Sequence, residues 1–421
     1  VSIDQGAGRR VAIVGPTHPY KGGVAAHTTE LAHRLAAAGH DTLLVSWSRL
    51  YPAALYPGEQ AVPDGGPDLP PYPRTVRVLR WDRPGTWWRA GRRLRRTGVD
   101  VVVVVVVVPA QVPALLALVS SLRGRPFRTL SPGVLSPGVL SPGVLSPADS
   151  PRVVVLAHNV VPHETHPGGE WLMSRIFRAA DTVLAHSPRM AEQAGTYGAR
   201  QALVADLPPH LPGGVSGQGV QTGEPAGAST AVPVPGAANG AAGHLTRVLA
   251  FGMVREYKGI DLLLEAAAAV PGVTVTVAGE QWGRAGERVR VLAADPRLAG
   301  RVRIEAGYVP GDRVPALLAA HDVLALPYRS ATASQNVLLG HAHGLPVVVT
   351  DVGTLGSQVR DGVDGLVVPP GDVPALVGAL REVSRPERLD ALRRGVPAVD
   401  LDGPWQRYLE TLLHDPGEEQ R

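Results

Sequence analysis

Residues 247–270 read RVLAFGMVREYKGIDLLLEAAAAV, and their order decides the fold. RVLAF is a short apolar run rich in residues that suit a strand. It stops at Gly252, and a helical pattern starts near Gly259 and runs through GIDLLLEAAAAV. The same alternation continues downstream. VTVTVAGE (273–280), RVRIEAGYV (301–309), DVLALPY (322–328) and LPVVVTDVG (345–353) read as strands. The segment around 284–293, DRVPALLAAH (312–321), QNVLLGHAHG (335–344) and DVPALVGALREV (372–383) read as helices. Alternating strands and helices imply a parallel sheet covered on both faces, with right-handed crossovers.

The first half carries the same rhythm. RVAIVG (10–15) is a strand ending in glycine, and the loop THPYKGG (17–23) follows it. Val24, Thr28, Leu31 and Leu35 then recur on one helical face, which Gly39 closes. DTLLVSW (41–47), VVVLAHN (153–159) and DTVLAHS (181–187) add strands. Val101–Val108 and the apolar residues after it reach the length a bilayer needs. Pro109 and Pro113 interrupt the run, and consecutive valines favour a strand, so it reads as strand, turn and helix. The expected fold class is α/β, with two Rossmann-like, doubly wound domains facing across a cleft.

Boundaries follow from composition. Residues 1–212 form an N-terminal domain, with a low-complexity insert at 129–150 that contains the tandem repeat LSPGV. Pro and Gly at that density sustain neither helix nor ladder. Residues 213–246, rich in Gly, Ala, Pro, Ser and Thr, read as a flexible linker. Residues 247–400 form the second domain, and 401–421 a C-terminal helix or tail.

The 421 residues hold no cysteine, which excludes a disulfide framework and a thiolate nucleophile. A net charge of +4 without a basic stripe argues against nucleic acid. Arg89, Arg92, Arg93, Arg95 and Arg96 form one basic run, read as a solvated helix face or as attraction to an anionic membrane surface. The N-terminal stretch has no apolar signal core, so a cytoplasmic location is expected.

Ligands of such sheets bind beyond the carboxyl ends of the strands. Those ends hold Gly15 to Gly23, His158, Gly252 to Gly259, Gly279–Glu280, Tyr308–Val309 and Tyr328 to Gln335. Arg255 and Lys258 stand beside a helix N-terminus, where cations, free N–H groups and the helix dipole all favour an anion such as a diphosphate. Gly22–Gly23 lets a backbone approach a phosphate closely. Arg329, Ser330, Thr332, Ser334, Gln335 and Asn336 lead into a helix, to cap it or to bind phosphate. His158 reads either as a site residue or as hydrogen-bonded structure. His158, His163, Glu164 and His166 match no metal-ligand spacing, His341 and His343 face opposite sides of a helix, and Asp400-Leu401-Asp402 reads as surface. No metal is expected.

Taken together, FGMVREYKGIDLLLEA, VAGE, GYVP, DVLALPYRSAT and GLPVVVTDVGTLGSQVRDGVDGLVVPPGD resemble the nucleotide-binding domain of GT-B glycosyltransferases of family 4. GPTHPYKGGVAAHTTELAHRLAAAGH, HNVVPHE and DTVLAHS resemble that family's acceptor domain. The resemblance implies retaining, metal-independent transfer of a sugar from a nucleoside-diphosphate sugar to a hydroxyl of a glycan or lipid-linked acceptor, in cell-surface polysaccharide biosynthesis, with no cofactor. It places Gly22–Gly23 by the donor diphosphate and Lys258, with Arg255, on its oxygens. It puts Tyr308–Val309 beside the base, His158 near the transferred sugar, and Trp405 at a C-terminal helix returning to the first domain. Gly252, Glu280, Ser330, Thr332, Ser334 and Gln335 complete the expected donor site. Two departures stand out. Where many relatives have Glu-x7-Glu, this chain has Ala331 and Leu339, which resembles a branch with a Ser-Ala-Thr loop. Met253 stands where relatives often place an arginine. The alternatives are a partner protein that keeps the fold without the chemistry, and a sugar-nucleotide epimerase using Glu164 and Glu280 for proton transfer.

Overall fold

The computed structural model describes residues 8–50, 61–62, 69–124, 150–158, 168–211, 245–331 and 334–415. The LSPGV repeat, residues 159–167 with His163, Glu164 and His166, nearly all of the linker, and Thr332 lie outside the described residues. The chain divides into two compact units. The first takes the residues through His210 together with Asp402 and the helix after it, and the second takes Leu211–Leu401.

In the first unit the strands are β1 (Arg10–Val14), β2 (Asp41–Arg49), β3 (Thr75–Arg80), β4 (Val101–Val106), β5 (Arg152–Ala157), β6 (Thr182–Ala185) and β7 (Ala202–Val204). They form one parallel sheet in the order β3-β2-β1-β4-β5-β6-β7. Its helices are α1 (Gly23–Ala37), α2 (Pro84–Arg96), α3 (Val112–Leu122), α4 (Gly169–Ala179) and α5 (Pro188–Thr196). The valine run becomes the fully buried centre of the sheet, β4, then a 3₁₀ turn at Pro109–Gln111, then α3. Both of its faces are covered, so every residue of β4 is apolar without alternation. Among the described residues no helix is long and apolar enough to cross a membrane.

The second unit has β8 (Thr246–Phe251), α6 (Ile260–Ala268), β9 (Val273–Gly279), α7 (Gly283–Ala293), β10 (Val302–Ala306), α8 (Val314–Ala319), β11 (Val323–Leu326), α9 (Asn336–Ala342), β12 (Val347–Thr350), β13 (Gly365–Val368), α10 (Val373–Val383) and α11 (Pro386–Gly395). Its strands pair in parallel in the order β10-β9-β8-β11-β12-β13. The sheet thus switches direction beside β8, and the loop after β8 stands at that switch point.

Several elements left no mark in the sequence reading. β3 and β7 are edge strands with weak apolar patterns, and β13 is four residues long. α11 is mostly polar and buries only Leu389 and Leu392. The boundaries also moved slightly: β8 starts at Thr246, inside the span read as linker, and Leu211 packs into the core of the second unit.

The helix α12 (Gly403–Leu413) belongs to the first unit. Trp405, Tyr408, Leu409 and Leu412 join the core on the α1 side of the sheet, with Leu31, Leu35 and Leu156. The Trp405 indole N–H donates to the Pro209 carbonyl at 2.6 Å, so the buried ring keeps its polar atom satisfied.

Candidate functional site

In the second unit, the β8–α6 loop builds a cation site. Gly252 has φ +100 and Gly259 φ +62, conformations that side chains rarely adopt. A Cβ on Gly259 would lie 2.0 Å from the Pro327 carbonyl oxygen, so only glycine lets this loop pack against residue 327. The folded loop brings the Lys258 ammonium over Gly252, where a Cβ would stand 2.8 Å from Nζ. Lys258 is 9% exposed, and its Nζ lies 5.6 Å from the Tyr328 ring centroid. Burial lowers its pKa, Arg255 lowers it further and Tyr257 opposes the shift. Among the described residues no carboxylate pairs with this ammonium. A buried cation without a counter-ion is costly, and an anionic ligand relieves that cost.

Arg255 stands beside it, with its guanidinium 4.0 Å from the Trp282 ring centroid. The stack holds the flat cation in place while leaving its edge N–H groups to other partners. Arg329, by contrast, is committed. It makes a bidentate pair with Asp261 at 2.7 and 2.8 Å and donates to the Glu256 carbonyl at 2.9 Å. It braces the cation loop from the far side, so its role is structural.

The loop after β11 is held the same way. Asn336 donates to the Tyr328 hydroxyl at 3.3 Å and to the Phe251 carbonyl at 3.4 Å. Its backbone N–H donates to Ser334 Oγ at 3.2 Å, just before α9. Ser330 is exposed, while Gln335 keeps a buried Oε1 without a partner. Glu280 follows β9, and its carbonyl accepts from the Val254 N–H at 2.8 Å. Gly279 is required there, because a Cβ would meet the Gly252 oxygen at 2.2 Å. Tyr308 and Val309 follow β10 at the same edge, with Val309 packed on the core. Gly252, Lys258, Glu280, Tyr328 and Asn336 therefore share the carboxyl edge of this sheet. At the positions of the absent carboxylates, Leu339 is buried and Ala331 packs against the same apolar cluster.

The carboxyl edge of the first sheet is different. His158 follows β5 and His186 follows β6, and both rings stand near His27 of α1. The His27 centroid lies 5.0 Å from His158, 6.1 Å from His186 and 5.3 Å from His210. Trp405 stacks on His27 at 5.4 Å, and Tyr408 meets it edge-on at 5.4 Å. Among the described residues neither ring nitrogen of His27, nor Nε2 of His158 and His186, has a hydrogen-bond partner. Burial is the main force lowering the pKa of all four histidines, and the rings depress one another. His210 falls to about 4. At neutral pH the cluster is uncharged. Gly22, at φ +105, and Gly23 open α1 beside it without a side-chain cap.

The sequence reading found one of these four histidines. His27 carried a signal, since it lies three residues after Val24 and four before Leu31, on the apolar face of α1. His186 carried the signal that marked His158, a histidine at the end of a strand in DTVLAHS, while His210 carried none, because distant parts of the chain bring it to the others. Asp400 and Asp402 are exposed, and Asp402 pairs with Arg34 at 2.5 Å. Among the described residues no group of three or more potential ligands is arranged to hold a metal.

Comparison with known proteins divides the chain the same way. Residues 21–208 match the family model described as Glycosyltransferase Family 4, and residues 246–385 the model described as Glycosyl transferases group 1. A D-inositol 3-phosphate glycosyltransferase of Acidothermus cellulolyticus is 34% identical over 177 residues, 39% of this chain and 39% of that protein. The lipopolysaccharide core biosynthesis glycosyltransferase LpsE of Rhizobium meliloti is 34% identical over 138 residues, 32% of this chain and 38% of its own. The matches thus span about two-fifths of these relatives' length. The structure of Anabaena Alr3699/HepE in complex with UDP-glucose covers 96% of this chain and 99% of its own, with a TM-score of 0.62 at 15% identity. That likeness shows the GT-B fold.

Proposed function

We propose that this chain, which belongs to the group 1 and family 4 glycosyltransferases, moves a sugar from a UDP-sugar to a hydroxyl of a glycan or lipid-linked acceptor. The observation that carries the proposal is Lys258, a buried ammonium without a counter-ion among the described residues, set over the Gly252 backbone beside Arg255. As the bond to the sugar breaks, the leaving nucleoside diphosphate gains negative charge. Fixed cations and N–H dipoles aimed at that charge stabilise the transition state without reorganising. Lys258 holds the diphosphate, Arg255 adds a second cation, and Glu280, Tyr308, Val309, Ser330, Thr332, Ser334 and Gln335 surround the rest of the donor. His158 stands by the transferred sugar, and Gly22–Gly23 lets the first turn of α1 approach the diphosphate. These cations supply the field in a retaining, metal-independent transfer. The UDP assignment draws on the ligand named for the Anabaena protein, and a role in polysaccharide synthesis draws on the lipopolysaccharide core biosynthesis named for LpsE. The Ser330-Ala331-Thr332 sequence supports the reading that the chain is of a branch without the Glu-x7-Glu carboxylates.

A second reading follows from Ala331 and Leu339, which stand where many relatives carry the two carboxylates. It is a donor-binding partner protein without turnover. Calorimetric titration with UDP, GDP, ADP, dTDP and CDP tests both, with transfer assayed on D-inositol 3-phosphate and on lipid-linked oligosaccharides. The expected result is tight binding of UDP and turnover of a UDP-sugar. Binding without turnover across the acceptor panel favours the second reading, and binding of no nucleotide sinks both.

A further inference from the structure

His210 is buried at 8% exposure, and its Nδ1 lies 3.1 Å from the Pro208 carbonyl oxygen. A carbonyl only accepts, so Nδ1 carries the hydrogen and the neutral ring leaves a lone pair on Nε2. Among the described residues no donor meets that Nε2. It faces Gly23, where a Cβ would stand 3.6 Å away. Glycine at 23 therefore leaves a gap between the ring and the first turn of α1. Gly23 is the first residue of α1, a 15-residue helix whose N-cap residue Gly22 offers no capping side chain for its first-turn N–H groups. An acceptor nitrogen thus stands beside the N-terminal turn of a helix that no side chain caps.

That pairing selects its guest. An ionised phosphate oxygen satisfies the N–H groups, but it brings only lone pairs to Nε2. A hydroxyl gives its hydrogen to Nε2. We infer that His210 is a specificity-determining residue whose Nε2 accepts a hydrogen bond from a neutral hydroxyl beside the Gly22–Gly23 turn. The hydroxyl belongs to the transferred sugar or to the acceptor. The inference rests on the donor reading above.

The surroundings keep the ring in this state. The groups facing it and its neighbours are His27 from α1, His158 and His186 from the strand ends, and Trp405 and Tyr408 from α12, all uncharged. Asp206 acts on His186, and Arg34, over Trp405, is paired with Glu30 and Asp402. With no carboxylate against His210, a proton on Nε2 is disfavoured and the nitrogen remains an acceptor. His186 repeats the arrangement, with Nδ1 at 3.1 Å from the Ala205 carbonyl.

The test uses the full chain with UDP-glucose and UDP, or the corresponding pair for the nucleotide that the titration selects. His210→Phe removes the acceptor, and His210→Gln restores one in a side chain of similar reach. Thermal unfolding confirms that each variant folds. If the hydroxyl is the donor sugar's, Phe weakens nucleotide-sugar binding by roughly five- to tenfold, the worth of one neutral hydrogen bond. UDP affinity stays unchanged and Gln recovers part of the loss. If it is the acceptor's, both affinities hold and the acceptor KM rises by a similar factor, again with partial recovery by Gln. Equal weakening of UDP and UDP-glucose overturns the inference, because the ring would then serve the nucleotide. So does an unchanged affinity and KM in folded variants. Wild-type protein that binds no nucleotide or nucleotide sugar instead defeats the donor reading on which the inference rests.

Discussion

The two sheets end in opposite chemistries. At the carboxyl edge of the second sheet, the β8–α6 loop gathers Lys258 and Arg255 against a helix start, and the ammonium has no carboxylate partner among the described residues. At the corresponding edge of the first sheet, four histidines and two aromatic rings pack into an uncharged cluster. Both edges come from the same strand-loop-helix geometry, so the fold does not dictate the difference. The residues on the loops do. One edge carries the positive charge that suits a diphosphate, and the other carries neutral rings whose free nitrogens can accept from hydroxyls.

The largest way to break this contrast is to remove the cation. Lys258→Ala is expected to slow sugar transfer by about two to three powers of ten and to weaken nucleoside-diphosphate binding. Steady-state rates and calorimetry measure both. A folded mutant with unchanged rate and affinity ends the electrostatic assignment.

Acid attacks the other edge. His210 titrates at about 4 when folded, against an ordinary value of 6.5. The unfolded chain therefore binds more protons between those values, and stability rises with pH across that window. It is complete above about pH 6.5 and is lost as the pH falls toward about 4. A shift of this size is worth roughly 3 kcal/mol for this ring, and His27 and His158 act in the same direction. His27→Leu should flatten the dependence, because it removes one titrating ring and two unpartnered buried nitrogens. At pH 7 the variant should melt no lower than wild type. Melting temperatures of both proteins from pH 7 to pH 5 decide the point. An identical fall in the two would mean that the cluster does not govern acid stability.

The smallest expected effect separates two adjacent glycines. Gly22 holds φ +105, so Gly22→Ala strains the backbone and costs on the order of 1 kcal/mol, although no atom lies within 4 Å of the new Cβ. Gly23 is helical, and Gly23→Ala meets nothing closer than His210 Nε2 at 3.6 Å. Its stability should hold or rise by a few tenths of a kcal/mol. Its nucleotide-sugar affinity should fall, since the methyl group fills the gap beside His210. Thermal melts paired with calorimetry distinguish a loss of fold from a loss of site. A Gly23→Ala protein that is destabilised yet binds normally would reverse the assignment.

Legibility in the sequence followed physical range. The β8–α6 loop was readable because its strand, glycines, cations and helix lie within 24 consecutive residues. The valine run announced β4, since a strand covered on both faces has no polar alternation. Edge strands β3 and β7 escaped because little of their surface is buried and their patterns are weak. Arg329 looked like a phosphate ligand in its loop, but in the fold Asp261, 68 residues away, accepts from both of its terminal nitrogens.

The sequence by itself determined two α/β halves with parallel sheets, the loops at which ligands meet them, and the cation loop of the second half, because period and local turn chemistry are properties of neighbouring residues. Only the tertiary structure decided that His27, His158, His186 and His210 share one space with Trp405 and Tyr408. It alone set the tautomer of His210, through the Pro208 carbonyl, and the burial that keeps the ring uncharged. Desolvation and ring-to-ring approach depend on which distant segments pack together, and no local pattern in the chain encodes that.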